Sequence, residues 1–270
     1  MKSLKVKPPV VLKLGGSVVT FKDRLETPRL DVIRRLALEI AEAKPESLIL
    51  VHGGGGFGHP HALTHRLMEG FKGGLSQLVG FSETRLAMAR LNSLMVEALN
   101  RVGIPALGFQ TSALVTAREG RISSLNLKPL SGALRLGGVP VIYGDAVIDE
   151  VQGFTIVSGD MLSSVLARRF RSPLLALGVD VDGIYTDDPK LNPEAKLIRR
   201  IKVGRGLKGV LIGVEGSRSL DVTGGMKHKL LEVKRYVASG GKALIFNALK
   251  AGNVARVLKG LEVEGTLLEN

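Results

Sequence analysis

At 270 residues, 44% hydrophobic and 23% charged, the chain has an ordinary globular make-up and no run approaching the roughly 18 apolar residues of a bilayer span. Zero cysteines exclude disulfides, thiolate metal sites and cysteine nucleophiles together. The formal charge of +13 would suit anions, but aromatic residues make up only 4% and no base-stacking motif accompanies the basic cluster Arg199, Arg200, Lys202, Arg205 and Lys208, so neither a nucleic-acid nor a membrane partner is expected.

The start is basic and has no apolar stretch of signal-peptide length, so the expected location is the cytoplasm. Val10-Val11-Leu12-Lys13-Leu14 reads as a short buried strand ending at Gly15-Gly16-Ser17. Lys13 is either a strand-end lysine snorkelling to water or a cation for an anion held by the adjacent glycines, since ligands bind at strand ends in α/β sheets. Lys22, in the loop beyond, reads equally as an exposed lysine or as a second cation over the same cleft. Thr27-Pro28 supplies an N-cap and an N1 proline for a helix carrying Leu30, Ile33, Leu36 and Ile40, which Pro45 stops near Lys44.

A second strand, 47–51, runs into His52-Gly53-Gly54-Gly55-Gly56-Phe57-Gly58-His59. Glycine this dense lets backbone N–H groups turn inward and approach an anion closely. The dinucleotide fingerprint is matched formally by Gly53, Gly55 and Gly58, but no acidic residue follows about 20 positions on, and Gly241-Lys242 is followed by Ala243, which excludes a P-loop. His59, at a helix entrance, is either an exposed histidine or a phosphate contact. His61 and His65 stand at i, i+4, but too few further ligands lie nearby for a zinc site.

Helical patterns follow over about 60–69, 76–102, 160–170 and 226–238, separated by apolar runs at 140–143, 174–177 and 243–246. This alternation predicts an α/β fold with a largely parallel sheet covered on both faces. Alternating residues over about 143–157 predict a β-hairpin inserted at the sheet edge. Asp160 in Ser158-Gly159-Asp160 reads first as an N-cap. The run from Asp180 through Tyr185 to Pro189 is a turn-rich loop whose carboxylates could bond a ribose. Thr223 is a plausible N-cap for the last long helix; Lys227 in its first turn opposes the helix dipole unless a phosphate binds there.

Taken together, Lys-Leu-Gly-Gly-Ser at 13–17, the glycine loop at 53–58, Asp-Gly-Ile-Tyr-Thr-Asp-Asp-Pro at 182–189 and Gly-Gly-Met-Lys at 224–227 resemble the amino-acid-kinase superfamily, in order and over nearly the whole chain. The pattern ending at His59, with Ser-Gly-Asp at 158–160, looks like its isopentenyl phosphate kinases. The resemblance implies one αβα sandwich over 1–270, with a phosphate-acceptor lobe over about 1–170 and a nucleotide lobe over about 171–270. It implies ATP and Mg²⁺ as cofactors, isopentenyl phosphate as acceptor and a homodimer. Other kinases of the superfamily (uridylate, acetylglutamate or fosfomycin type) and a non-catalytic nucleotide-binding protein are the alternatives. Carried over residue by residue, Lys13, Lys22, His59, Asp160 and Lys227 would be catalytic, and Gly54, His59 and Gly159 would hold the acceptor. Lys13, Gly15, Gly16, Ser17, Gly55, Asp180, Tyr185, Gly224 and Lys227 would meet the nucleotide. No protein metal ligands are implied, and the helix at 76–102 could line a hydrocarbon slot with Val79, Phe81, Leu86, Met88 and Met95, although these residues read first as core.

Overall fold

The computed structural model describes residues 7–187, 192, 194–203 and 224–270, with only the backbone of 224–228. The chain runs β1 (Val10–Leu14), α1 (Gly16–Val19), α2 (Leu30–Ala43), β2 (Leu48–His52), α3 (His59–Thr64), a 3₁₀ turn (Leu67–Glu69), α4 (Leu75–Arg101) and β3 (Ala106–Gly108). Next come α5 (Thr111–Leu114), β4 (Val115–Arg118), β5 (Arg121–Leu125), α6 (Lys128–Arg135), β6 (Val139–Tyr143), β7 (Asp145–Asp149) and β8 (Gly153–Val157). It ends with α7 (Gly159–Arg169), β9 (Leu175–Val179), β10 (Ile184–Tyr185), β11 (Leu197–Ile198), β12 (Arg200–Lys202), α8 (Gly224–Val237), β13 (Ala243–Asn247), α9 (Asn253–Leu258) and β14 (Gly265–Glu269).

Eight strands form the central sheet in the order β12-β14-β13-β9-β1-β2-β6-β3. Every neighbouring pair is parallel except β13 with β14. Both faces are covered, which is why β2, β6 and β9 are buried at every residue and read as unbroken apolar runs. Strand alternation divides the core in two. Leu12, Leu14, Leu48 and Leu50 pack with Ile33 and Leu36 of α2 and Met88 and Leu91 of α4. Val11, Ile49 and Val51 pack on the other face with Leu162 and Leu166 of α7 and Leu230 and Val233 of α8. Lys13 shares the parity of Val11 and therefore points toward α7 and α8. From β1 the sheet extends to β2 on one side and to β9 on the other, so the crevice at the carboxyl end of β1 is a switch point of the kind that binds ligands.

Three sequence expectations are corrected. Thr27 and Pro28 do not open α2, because Pro28 forms a bridge with Thr20 and the helix begins at Leu30. The pattern at 60–69 is not one helix: Arg66 takes a left-handed backbone (φ 51°) between α3 and the 3₁₀ turn. The hairpin at 143–157 forms as β7 and β8 but does not extend the main sheet. It joins β4 and β5 in a separate sheet, order β5-β4-β7-β8. The Asp149 carboxylate binds this sheet's turns together by accepting backbone N–H bonds from Glu119, Gly120, Val151 and Gln152 at 2.8–3.2 Å.

Candidate active site

Lys13 is 4% exposed, and its Nζ lies 2.8 Å from Asp160 Oδ1. Asp160 is not the N-cap of α7. That place belongs to Ser158, whose Oγ accepts from the Met161 amide at 3.1 Å, leaving the Asp160 carboxylate to face the lysines from the first turn. Lys229, from α8, donates to both carboxylate oxygens at 2.9 and 2.8 Å. Burial works against the Asp160 charge, yet the two ammoniums outweigh it and hold the carboxyl well below its usual range. For Lys13, burial is the largest influence and lowers its pKa to about 8, opposed by Asp160 and reinforced by Lys229.

The glycine loop is built differently. Gly55 has φ +48°, and a Cβ there would lie 2.7 Å from Gly16 O and overlap the Thr20 hydroxyl; a Cβ on Gly16 would overlap the Gly55 nitrogen. The two loops thus meet backbone to backbone, a distance only glycine permits. Thr20 fastens the joint: its hydroxyl donates to Gly16 O at 2.8 Å and accepts from the Gly56 amide at 3.0 Å. Gly15 is committed to the sheet, its amide donating to Gly178 O at 2.8 Å.

Between loop and lysines lies a cavity of about 290 Å³. Its polar lining includes Lys13, Gly16, Gly54, His59, Gly159 and Asp160. Gly159 and Asp160 open α7, and the first amides of a helix have no internal acceptor, so the cavity is offered N–H donors as well as ammonium. Ala62, Leu63, Met68, Thr84, Met88 and Ile156 line it as well. Of the expected slot residues only Met88 lines the cavity. Phe81 stacks on Phe154 with ring centroids 5.2 Å apart, Met95 is core, and Val79 and Leu86 are exposed.

His59 stands at the cavity mouth, its imidazole held below the usual value by burial and then by Lys22 and Lys13. Lys22 is not part of the cavity lining; it sits in the loop after α1, two-thirds exposed and 3.7 Å from Asp180 Oδ2, near enough for its charge to act on His59. Asp180 follows β9, while the Tyr185 hydroxyl donates to Asp182 Oδ2 at 3.1 Å, away from the cavity. Ser17 sits in α1 with Gly16. Gly224 starts α8, but the Lys227 side chain, the Thr223 cap and Arg205 and Lys208 lie outside the described residues.

Lys229 was missed by the sequence reading. Its signal was periodicity: Leu230, Val233 and Val237 mark the buried face of α8, and Lys229 falls on it four positions before Val233. Asp145 was missed as well. It lines the cavity beside Gly144, and burial pushes its carboxyl up to about 6, with the Ser112 and Ala146 amides working against that rise. His52 is fully buried and lowered to about 4 by that burial, so its ring is neutral; Nδ1 donates to Gly53 O at 3.1 Å and Nε2 accepts from Asn92 at 3.2 Å. His61 and His65 pair with Glu26 and Glu83 rather than with each other.

The sequence pattern of the Amino acid kinase family matches residues 8–247. An isopentenyl phosphate kinase of Methanothermobacter thermautotrophicus is 40% identical over 95% of this chain and 97% of its own length. Another, from Methanocaldococcus jannaschii, is 36% identical over 96% of this chain and 98% of its own. A solved isopentenyl phosphate kinase structure superposes with a TM-score of 0.85 at 38% identity, covering 96% of this chain and 99% of that one.

Proposed function

Because this chain belongs to the amino acid kinase family, and within it to the isopentenyl phosphate kinases, we propose that it transfers the γ-phosphoryl group of ATP to isopentenyl phosphate, giving isopentenyl diphosphate and ADP. The observation that carries this reading is the mixed lining of one cavity, which joins the Lys13 ammonium and helix-start amides to the apolar side chains of Ala62, Leu63, Met68, Met88 and Ile156. Its size is close to the low end of the ~300–1,000 Å³ typical of ligand pockets, which suits an anion with a short hydrocarbon tail.

An acceptor phosphate oxygen attacks the γ-phosphorus. A P–O bond forms there as the bond to the bridging β,γ-oxygen breaks, and ADP leaves with the electron pair. The acceptor oxygen is already ionised near neutral pH, so no general base is required. Catalysis then rests on bringing two anions together and neutralising charge that spreads over the γ-oxygens. In this reading Lys13 meets the transferring group and Lys22 covers it from the loop. His59 and the Gly54 and Gly159 amides hold the acceptor phosphate, and Asp160 keeps Lys13 and Lys229 side by side in one buried place. Residues before about 170 form the acceptor lobe and those after it the nucleotide lobe. Gly15, Gly16, Ser17, Gly55, Asp180, Tyr185, Gly224 and Lys227 border the nucleotide, and Mg²⁺ enters with ATP as part of the substrate. The proposal includes a cytoplasmic homodimer, which sedimentation tests.

The deciding experiment supplies isopentenyl phosphate, ATP and Mg²⁺ and reads ADP release. His59→Ala is expected to abolish transfer while ATP still binds with near-normal affinity by calorimetry. Loss of ATP binding would reverse the assignment of the two lobes, and turnover of a different phosphate or carboxylate acceptor would point to another kinase of the family.

A further inference from the structure

The loop bearing Lys22 is a small hairpin. Its base is closed by the Thr20–Pro28 bridge and by the Phe21 amide donating to Thr27 O at 3.0 Å. Two guanidiniums lie over the Phe21 ring, Arg29 at 4.2 Å and Arg24 at 5.0 Å from its centroid. Lys22 itself is largely exposed, so nothing in its own burial fixes where its ammonium sits. The returning limb is held at Glu26. Its Oε1 accepts from His61 Nε2 at 2.9 Å and Arg90 Nη2 at 2.7 Å, and its Oε2 accepts from Arg90 Nε at 2.9 Å. Its amide donates to Gly56 O at 3.0 Å. One residue thereby ties the Lys22 loop to the glycine loop, to α4 through Arg90, and to the short helix that begins with His59.

Glu26 also takes a left-handed backbone, φ +45°, which a residue with a side chain adopts at an energetic cost and keeps only where its surroundings over-determine it. The bidentate guanidinium supplies geometric restraint as well as energy. Strain and a paired carboxylate at a half-buried loop position serve neither core packing nor the Lys13–Asp160–Lys229 group.

We propose that Glu26, clamped by Arg90 and His61, is a positioning residue that holds the Lys22 loop closed over the acceptor phosphate. It acts through Lys22 and touches no reacting atom. The proposal rests on the kinase reading above.

The test measures steady-state kinetics with isopentenyl phosphate and ATP for the parent chain, Glu26→Ala, Lys22→Ala, the double variant and Arg90→Ala. Glu26→Ala is expected to raise the acceptor KM about tenfold with the ATP KM within about twofold, and to add less than about twofold to Lys22→Ala. Arg90→Ala removes only the outer partner and shifts the acceptor KM in the same direction by less. Equal rises in both KM values, or penalties that multiply in the double variant, overturn the proposal. Hydrogen exchange without substrate provides a second reading. The Phe21, Glu26 and Gly56 amides are expected to exchange faster in Glu26→Ala while those of α4 do not, and unchanged exchange overturns the clamp. A failure of the kinase reading is distinct: the parent chain would not turn over isopentenyl phosphate, and exchange would still decide the clamp.

Discussion

Two walls of one cavity are made on opposite principles. The glycine wall contains no charge; Gly16 is placed by a backbone contact with Gly55 behind it that leaves no room for a Cβ, and Gly54 is packed against the Met88 sulfur and the Gly58 backbone. The opposite wall is a buried carboxylate between two ammoniums, 2.8 Å from each. The first resists change sterically, in an all-or-none way. The second balances burial against attraction, so solution conditions can tune it.

Breaking the charged wall has the larger expected effect. Asp160→Asn leaves two buried ammoniums without a counter-charge, and removing one partner from such a group costs about 3–5 kcal/mol. Denaturant unfolding should register a loss of that size. Part of it is relieved if Lys13 sheds its proton, so residual activity should decline at lower pH than in the parent chain. Stability loss below about 1 kcal/mol would mean the ions are already well solvated.

Gly55→Ala attacks the other wall. Overpacking costs about 1–3 kcal/mol and a left-handed alanine about 1 more, so thermal unfolding should show a loss in that range with no pH-dependent component. If the loss instead varied with pH across the titration of Lys13, the two walls would not be independent.

The gentlest probe is pH itself. With Lys13 at about 8, kcat/KM, which reports the free enzyme, should fall as pH rises through about 8. The kcat limb should lie higher, because bound phosphates favour the ammonium. Stability moves the other way. Below about 8 Lys13 is charged in both states and the cost of burying it stands in full; from about 8 to the usual 10.5 the folded state holds fewer protons than the unfolded one, so stability rises with pH from this group. A flat kcat/KM profile to pH 10 would remove Lys13 from the reacting centre.

The steric wall was legible in the sequence because glycine density announces backbone approach, and the sheet was legible because strands buried on both faces are apolar throughout. The charged wall was only half legible. Lys13 and Asp160 stand beside glycines that draw attention to them, whereas Lys229 lies mid-helix among Leu230 and Val233, and only the parity of β1 against α8 reveals what it meets. Thr27-Pro28 misled because a local capping signal was overridden by a bridge to Thr20, and the β4–β5 sheet went unseen because Asp149 organises it from a distant turn.

The position of β1 between β2 and β9 has a consequence for how the molecule acquires its function in time. β2 follows β1 closely in the chain, but β9 arrives only after six further strands and the helices among them. Lys13 therefore gains Asp160 and Lys229 only when a long loop has closed, and contacts that distant form slowly. In refolding, enzymatic activity should recover with the slowest phase, well after helical signal has returned.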